Sequence, residues 1–152
     1  APMNSWIMGM HLESLAVRMQ RHCENAQKVA EFLNDDPRVS WVQFPGLPGD
    51  KYYETAQKYM PNGTCGVISF GVPGGRDKVS ALLDHFKMIS IATHVADARS
   101  CTLYPAGTTH RQLTDEQLEE AGVGIDLVRL SCGIENAADI IADLDQALAS
   151  IQ

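Results

Sequence analysis

A single arginine inside an otherwise apolar run constrains this chain more than any other feature. In Leu127-Val128-Arg129-Leu130-Ser131-Cys132-Gly133-Ile134-Glu135 the aliphatic residues read as a mostly buried strand, which Gly133 breaks. Asn136 is then a good N-cap for a helix carrying Ile140, Ile141, Leu144 and Leu148. Arginine stays protonated at any ordinary pH, so a guanidinium in an apolar strand is costly unless an anion pairs with it. Its planar fork matches a carboxylate through two parallel charge-assisted hydrogen bonds. Arg129 therefore reads as a clamp for a carboxylate ligand, as the partner of an Asp or Glu in the same domain, or as a side chain snorkelling to the sheet edge.

The 152 residues suffice for one domain with a real core. A net charge of -7 argues against nucleic acid or an anionic membrane as partner. No apolar run approaches the ~20 residues that a bilayer span needs, and the start lacks a signal-peptide pattern, which together predict a soluble, cytoplasmic protein. The 4 cysteines are far apart, with no C-x-x-C pair, and their apolar surroundings predict buried, reduced thiols. The 5 histidines show neither H-x-x-x-H nor H-E-x-x-H spacing, so no metal site is expected.

Along the chain, residues 5 to 34 read as one long helix, with Leu12, Leu15, Met19, Cys23, Ala26, Ala30 and Leu33 forming an apolar stripe. Such a helix would span ~45 Å, long for a domain of this size, and suggests a connector over residues 1–34 followed by an α/β domain over residues 35–152. Strands are expected at 39–44, 66–72, 88–92, 101–104 and through Arg129. Helices are expected at 52–60, 77–86 and after a Thr114/Gln117 capping box. Connections this short cannot make every strand pair a parallel crossover. The predicted architecture is an α/β sandwich: a mixed, largely antiparallel sheet of four to five strands, with helices mainly on one face.

Polar residues gather in Thr93–Ser100, in Thr108–Arg111 and around Arg129 and Ser131. A Ser-His-Asp set could be drawn from Ser100, His94 or His110, and Asp97, but no G-x-S-x-G elbow accompanies it, and turn or capping roles explain these residues better.

Three segments in order, Thr93-His94-Val95-Ala96-Asp97-Ala98-Arg99-Ser100, Tyr104-Pro105-Ala106-Gly107-Thr108-Thr109-His110 and Leu127–Glu135, resemble the C-terminal part of the Cys/Met-metabolism family of pyridoxal-phosphate enzymes. Their branch is most similar to the O-acetylhomoserine sulfhydrylases. Residues 12–26 resemble that family's interdomain helix. The resemblance implies the C-terminal domain of a fold-type-I enzyme, with Arg129 gripping the substrate α-carboxylate, Thr109 near the Schiff-base lysine, and His94 where a small Ser or Asn usually helps hold the carboxylate. Ala96 stands where the family more often has Gly. The resemblance further implies pyridoxal phosphate as cofactor, a small amino-acid substrate, and a homo-oligomer. It places the cofactor lysine in an upstream domain, since Lys28, Lys51, Lys58, Lys78 and Lys87 all read as surface residues. Cystathionine γ-synthase, cystathionine lyase and methionine γ-lyase share the arginine and stay open as alternatives, as does a freestanding amino-acid-binding module without catalysis.

Overall fold

Alternation within β5 (Leu127–Ser131) decides which side of the sheet becomes the core. Val128 and Leu130 are fully buried on one face, whereas Leu127 and Arg129 are half-buried on the other. The computed structural model describes all residues, 1–152. Its elements run α1 (Pro2–Glu13), α2 (Leu15–Asp35), β1 (Trp41–Gln43), α3 (Tyr53–Tyr59), β2 (Val67–Gly71), α4 (Gly75–His85), β3 (Ser90–Ile91), β4 (Cys101–Leu103), a 3-10 turn (Pro105–Gly107), α5 (Asp115–Glu120), β5, and α6 (Ala137–Ala149).

The sheet order is β1-β2-β5-β4-β3, with β3–β4 parallel and the other three pairs antiparallel, as the short connections predict. Helices α2, α4 and α6 cover one face. There Ala26, Val29, Ala30 and Leu33 of α2, Val79 and Leu82 of α4, and Ile140, Leu144 and Leu148 of α6 enclose Ile68, Phe70, Val128 and Leu130. Each large aliphatic side chain so buried contributes ~1.5–3 kcal/mol. The opposite face holds Ser69, Arg129 and Leu103 side by side, because the register pairs Arg129 with both neighbours.

Two local predictions are met at atomic detail. Thr114 and Gln117 form the reciprocal capping box, and the Asn136 side chain accepts the Ala138 N–H at 3.1 Å.

The single helix over 5–34 is corrected to two. Ser14 leaves helical geometry at φ -100, ψ 2, and Arg18 Nη2 donates to the freed His11 carbonyl at 2.8 Å. The stripe is likewise buried only from its middle onward. Leu12 and Leu15 are exposed and α1 buries no residue, because the core is first reached at His22. The cysteine expectation holds for Cys101 and Cys132 but not for Cys23 and Cys65, which are half-buried between α2 and the turn before β2. Burial pushes the Cys132 thiol up to about 12 and raises those of Cys101 and Cys23, so these remain protonated near neutrality.

Asp143 fastens β3 to α6. Its carboxylate accepts the N–H groups of Lys87, Met88 and Ile89, each at 2.9 Å. Burial alone would raise this carboxyl, but the three backbone donors prevail and hold it below the usual range. A depressed native pKa gives stability that is complete above the unfolded value of ~3.9 and is lost as pH falls through the native one. Asp143→Asn is expected to cost about 2 kcal/mol at pH 7 in urea unfolding. That difference should shrink below pH ~4, and a constant difference would contradict the linkage.

A candidate carboxylate-binding site

Arg129 has no acid partner. The ion pairs of the chain are Arg38 with Asp36 and Asp145, Arg76 with Asp115, and Arg99 with Asp97. Arg129 Nη2 donates to the Thr93 carbonyl at 3.0 Å, while its Nε is buried and has no acceptor at all. A buried guanidinium donor without an oxygen is an unfavourable arrangement for a finished structure, and a carboxylate would complete it. Of the three readings of Arg129, pairing with an Asp or Glu of the same domain is therefore not what the structure contains.

Loop 93–100 covers this side of the sheet. Ser131, two residues beyond Arg129 and hence on the same strand face, accepts the Ala96 N–H at 3.1 Å. Ala96 itself has φ 57, in the left-handed region that favours glycine. The position where the resemblance leads one to expect Gly thus has a glycine-like backbone here. Releasing that strain by Ala96→Gly, against the extra flexibility of glycine in the unfolded chain, is expected to stabilise the protein by roughly 0.5 kcal/mol. The urea midpoint reads this out, and a loss of stability would show that the loop is unstrained.

His94 is exposed beside Thr93 and forms no hydrogen bond through its side chain, whereas its neighbour's carbonyl reaches Arg129. Thr109 lies in the loop after β4, exposed, with its hydroxyl 2.9 Å from His110 Nδ1 and no hydrogen bond to Arg129 or to loop 93–100. The expectation that Ser100 and Asp97 serve the backbone is met. Asp97 accepts the Arg99 N–H at 3.0 Å, a bond that with the Arg99 side chain keeps its carboxyl below the usual range. Ser100 Oγ accepts the Gly133 N–H at 2.9 Å and also donates to the Glu135 carboxylate at 3.0 Å. Sequence reasoning missed this Ser100–Glu135 connection. The residues are 35 apart, and neither spacing nor residue type marks them as partners.

The site is one wall rather than an enclosed pocket. A cleft of ≈ 700 Å³ lies elsewhere, between α2 and the Met60–Thr64 turn, and none of Arg129, His94 and Thr109 lines it. The lysines also lie elsewhere. Lys28 and Lys87 are exposed, Lys51 and Lys58 lie over the rings of Tyr52 and Tyr59 at 4.7 and 5.0 Å, and Lys78 donates to the Ile151 carbonyl. None of these lysines is hydrogen-bonded to Arg129 or to loop 93–100.

The profile of the family described as Cys/Met metabolism PLP-dependent enzyme matches residues 1–149. An O-acetyl-L-homoserine sulfhydrylase of Leptospira meyeri is 43% identical over 152 residues, 99% of this chain and 34% of that protein. An L-methionine gamma-lyase of Treponema denticola is 43% identical over 148 residues, 97% of this chain and 36% of that protein. A crystal structure from Campylobacter jejuni, described as an O-acetylhomoserine (thiol)-lyase with a pyridoxyl-lysine phosphate residue, superposes with a TM-score of 0.91. It is 39% identical and is matched over 98% of this chain and 35% of its own. The chain thus spans about a third of the length of these relatives. With a match over nearly its whole length and a shared fold, this chain belongs to the Cys/Met-metabolism family of enzymes, whose cofactor is pyridoxal phosphate.

Proposed function

We propose that this chain is the substrate-carboxylate wall of an O-acetylhomoserine sulfhydrylase, which replaces the acetate on the γ-carbon of O-acetylhomoserine with sulfide or methanethiol. The products are homocysteine or methionine. The observation that carries this reading is the buried Arg129 Nε–H with no acceptor and no acid partner. In the proposal Arg129 grips the α-carboxylate and fixes how the amino acid presents its α-hydrogen, which is an orientation effect. His94 and Thr109 are proposed to border the same substrate from the loops after β3 and β4. The residues here do not fit the cofactor by themselves, so its chemistry belongs to the longer protein and the 152-residue chain alone is expected to be inactive.

The domain reading follows the same logic, with residues 1–34 as connector and 35–152 as the substrate-side domain beside an upstream cofactor domain. Its support is α1, which is apolar around its circumference yet exposes Met3, Trp6, Met8 and Leu12. A helix of that kind is normally surrounded by protein. Homo-oligomeric assembly and a cytoplasmic setting complete the proposal. No helix of the chain is long and apolar enough to cross a membrane.

A second reading, methionine γ-lyase, has the support of an equally identical relative. Turnover of O-acetylhomoserine plus sulfide, of cystathionine and of methionine by the full-length protein separates the branches. The proposal expects the first to be fastest, and preferential methionine cleavage would overturn it.

A further inference from the structure

Loop 93–100 is stitched to residues 129–135 along its whole length. Thr93 O accepts from Arg129 at 3.0 Å, Ser131 Oγ takes the Ala96 N–H at 3.1 Å, and the Ile134 N–H donates to Ala98 O at 2.9 Å. At the far end the Glu135 carboxylate takes both donors of one residue, the Ser100 N–H at 2.6 Å and the Ser100 hydroxyl at 3.0 Å. That hydroxyl in turn accepts the Gly133 N–H at 2.9 Å, and Ser100 is fully buried. Asn25 of α2 locks the same turn, its Nδ2 donating to the Gly133 and Glu135 carbonyls at 2.9 and 2.8 Å. Between these anchors sits Ala96 at φ 57, a backbone state that persists only where its surroundings impose it.

We propose that Glu135 is a positioning residue for the Arg129 clamp. By holding Ser100 through both donors it fixes loop 93–100, and the fixed loop holds the Thr93 carbonyl that aims the Arg129 guanidinium. The proposal rests on the reading of Arg129 as the carboxylate clamp. Glu135 touches no substrate. Its effect travels through Ser100, the strained Ala96 segment and Thr93.

The test is steady-state kinetics of the full-length enzyme with O-acetylhomoserine and sulfide. Glu135→Ala should raise KM for O-acetylhomoserine about tenfold or more, with kcat within about threefold and bound pyridoxal phosphate unchanged. Glu135→Gln keeps an oxygen for the Ser100 N–H but not a second acceptor for its hydroxyl, and should fall between wild type and alanine. In an Arg129→Ala background the Glu135→Ala effect on KM should vanish, because the group it positions is gone. Should Glu135→Ala not fold, Ser100→Ala removes the hydroxyl's bonds to Glu135 and to the Gly133 N–H while keeping the Ser100 N–H bond to Glu135, and should raise KM in the same direction. A KM within about twofold of wild type, a loss of kcat at constant KM, or an undiminished effect in the Arg129→Ala background would each overturn the positioning role. Arg129→Ala raising KM while Glu135→Ala does not removes this proposal alone. Arg129→Ala leaving KM unchanged removes the clamp reading and the proposal with it.

Discussion

Replacing Arg129 by alanine in the full-length protein is expected to raise KM for the amino-acid substrate about 100-fold while cofactor binding stays intact. A hydrogen bond from the guanidinium to a carboxylate is worth roughly 1.5–3 kcal/mol, and losing about 2.7 kcal/mol, the equivalent of one such bond near the upper end, corresponds to a hundredfold. The same variant carries a second, independent expectation. Had Arg129 been half of an internal ion pair, its removal would strand a buried acid and cost about 3–5 kcal/mol of stability. The structure contains no such acid, so Arg129→Ala should leave the urea midpoint unchanged or raise it by relieving the buried Nε. Arg129→Lys keeps the charge but loses the fork, and its KM should lie between the two. An unchanged KM in the alanine variant would end the clamp assignment, and a collapse in stability would reinstate an internal partner.

How much of this was legible in the residues depends on the range of the physics involved. Strand β5, the Asn136 cap and the Thr114–Gln117 box are decided by neighbours within a few positions, and the structure reproduces them, although the strand ends at Ser131, ahead of Gly133. Ser131 was legible in part, since strand periodicity puts it on the Arg129 face, although only the fold brings Ala96 to its hydroxyl. The Ser100–Glu135 and Asn25–Gly133 bonds cross separations of 35 and 108 residues, and no local pattern encodes such pairings. The break at Ser14 failed for another reason. Serine disrupts a helix only weakly, and what stabilises the break is the Arg18 side chain reaching back to His11. Apolar spacing at Leu12 and Leu15 was real but has nothing within these residues to pack against.

Gly133 joins the fold to the site, and Gly133→Ala is the second change expected to have a large effect. A Cβ there would stand 2.5 Å from both the Ala98 carbonyl oxygen and the Arg99 carbonyl carbon, and would also collide with Glu135 Oε2. The first two are main-chain atoms, so no side-chain rotation relieves the clash. Loop 93–100 would have to lift away from the turn. That movement breaks the Ile134-to-Ala98 bond and pulls Ser100 out of the Glu135 carboxylate, leaving buried donors unsatisfied. A loss of about 3 kcal/mol in urea unfolding is expected, the upper end for an overpacked site because broken hydrogen bonds add to the strain. KM for the amino-acid substrate should rise as well, since the displaced loop carries the Thr93 carbonyl that Arg129 engages. The two effects need not be equal. Stability senses the whole collision, whereas KM senses only the part of the movement that reaches Thr93. A variant that lost stability at constant KM would show that the loop bends at Ala96 and leaves the clamp in place. Loss of neither would mean that the turn has room for a side chain, which the positions of Ala98 and Arg99 exclude.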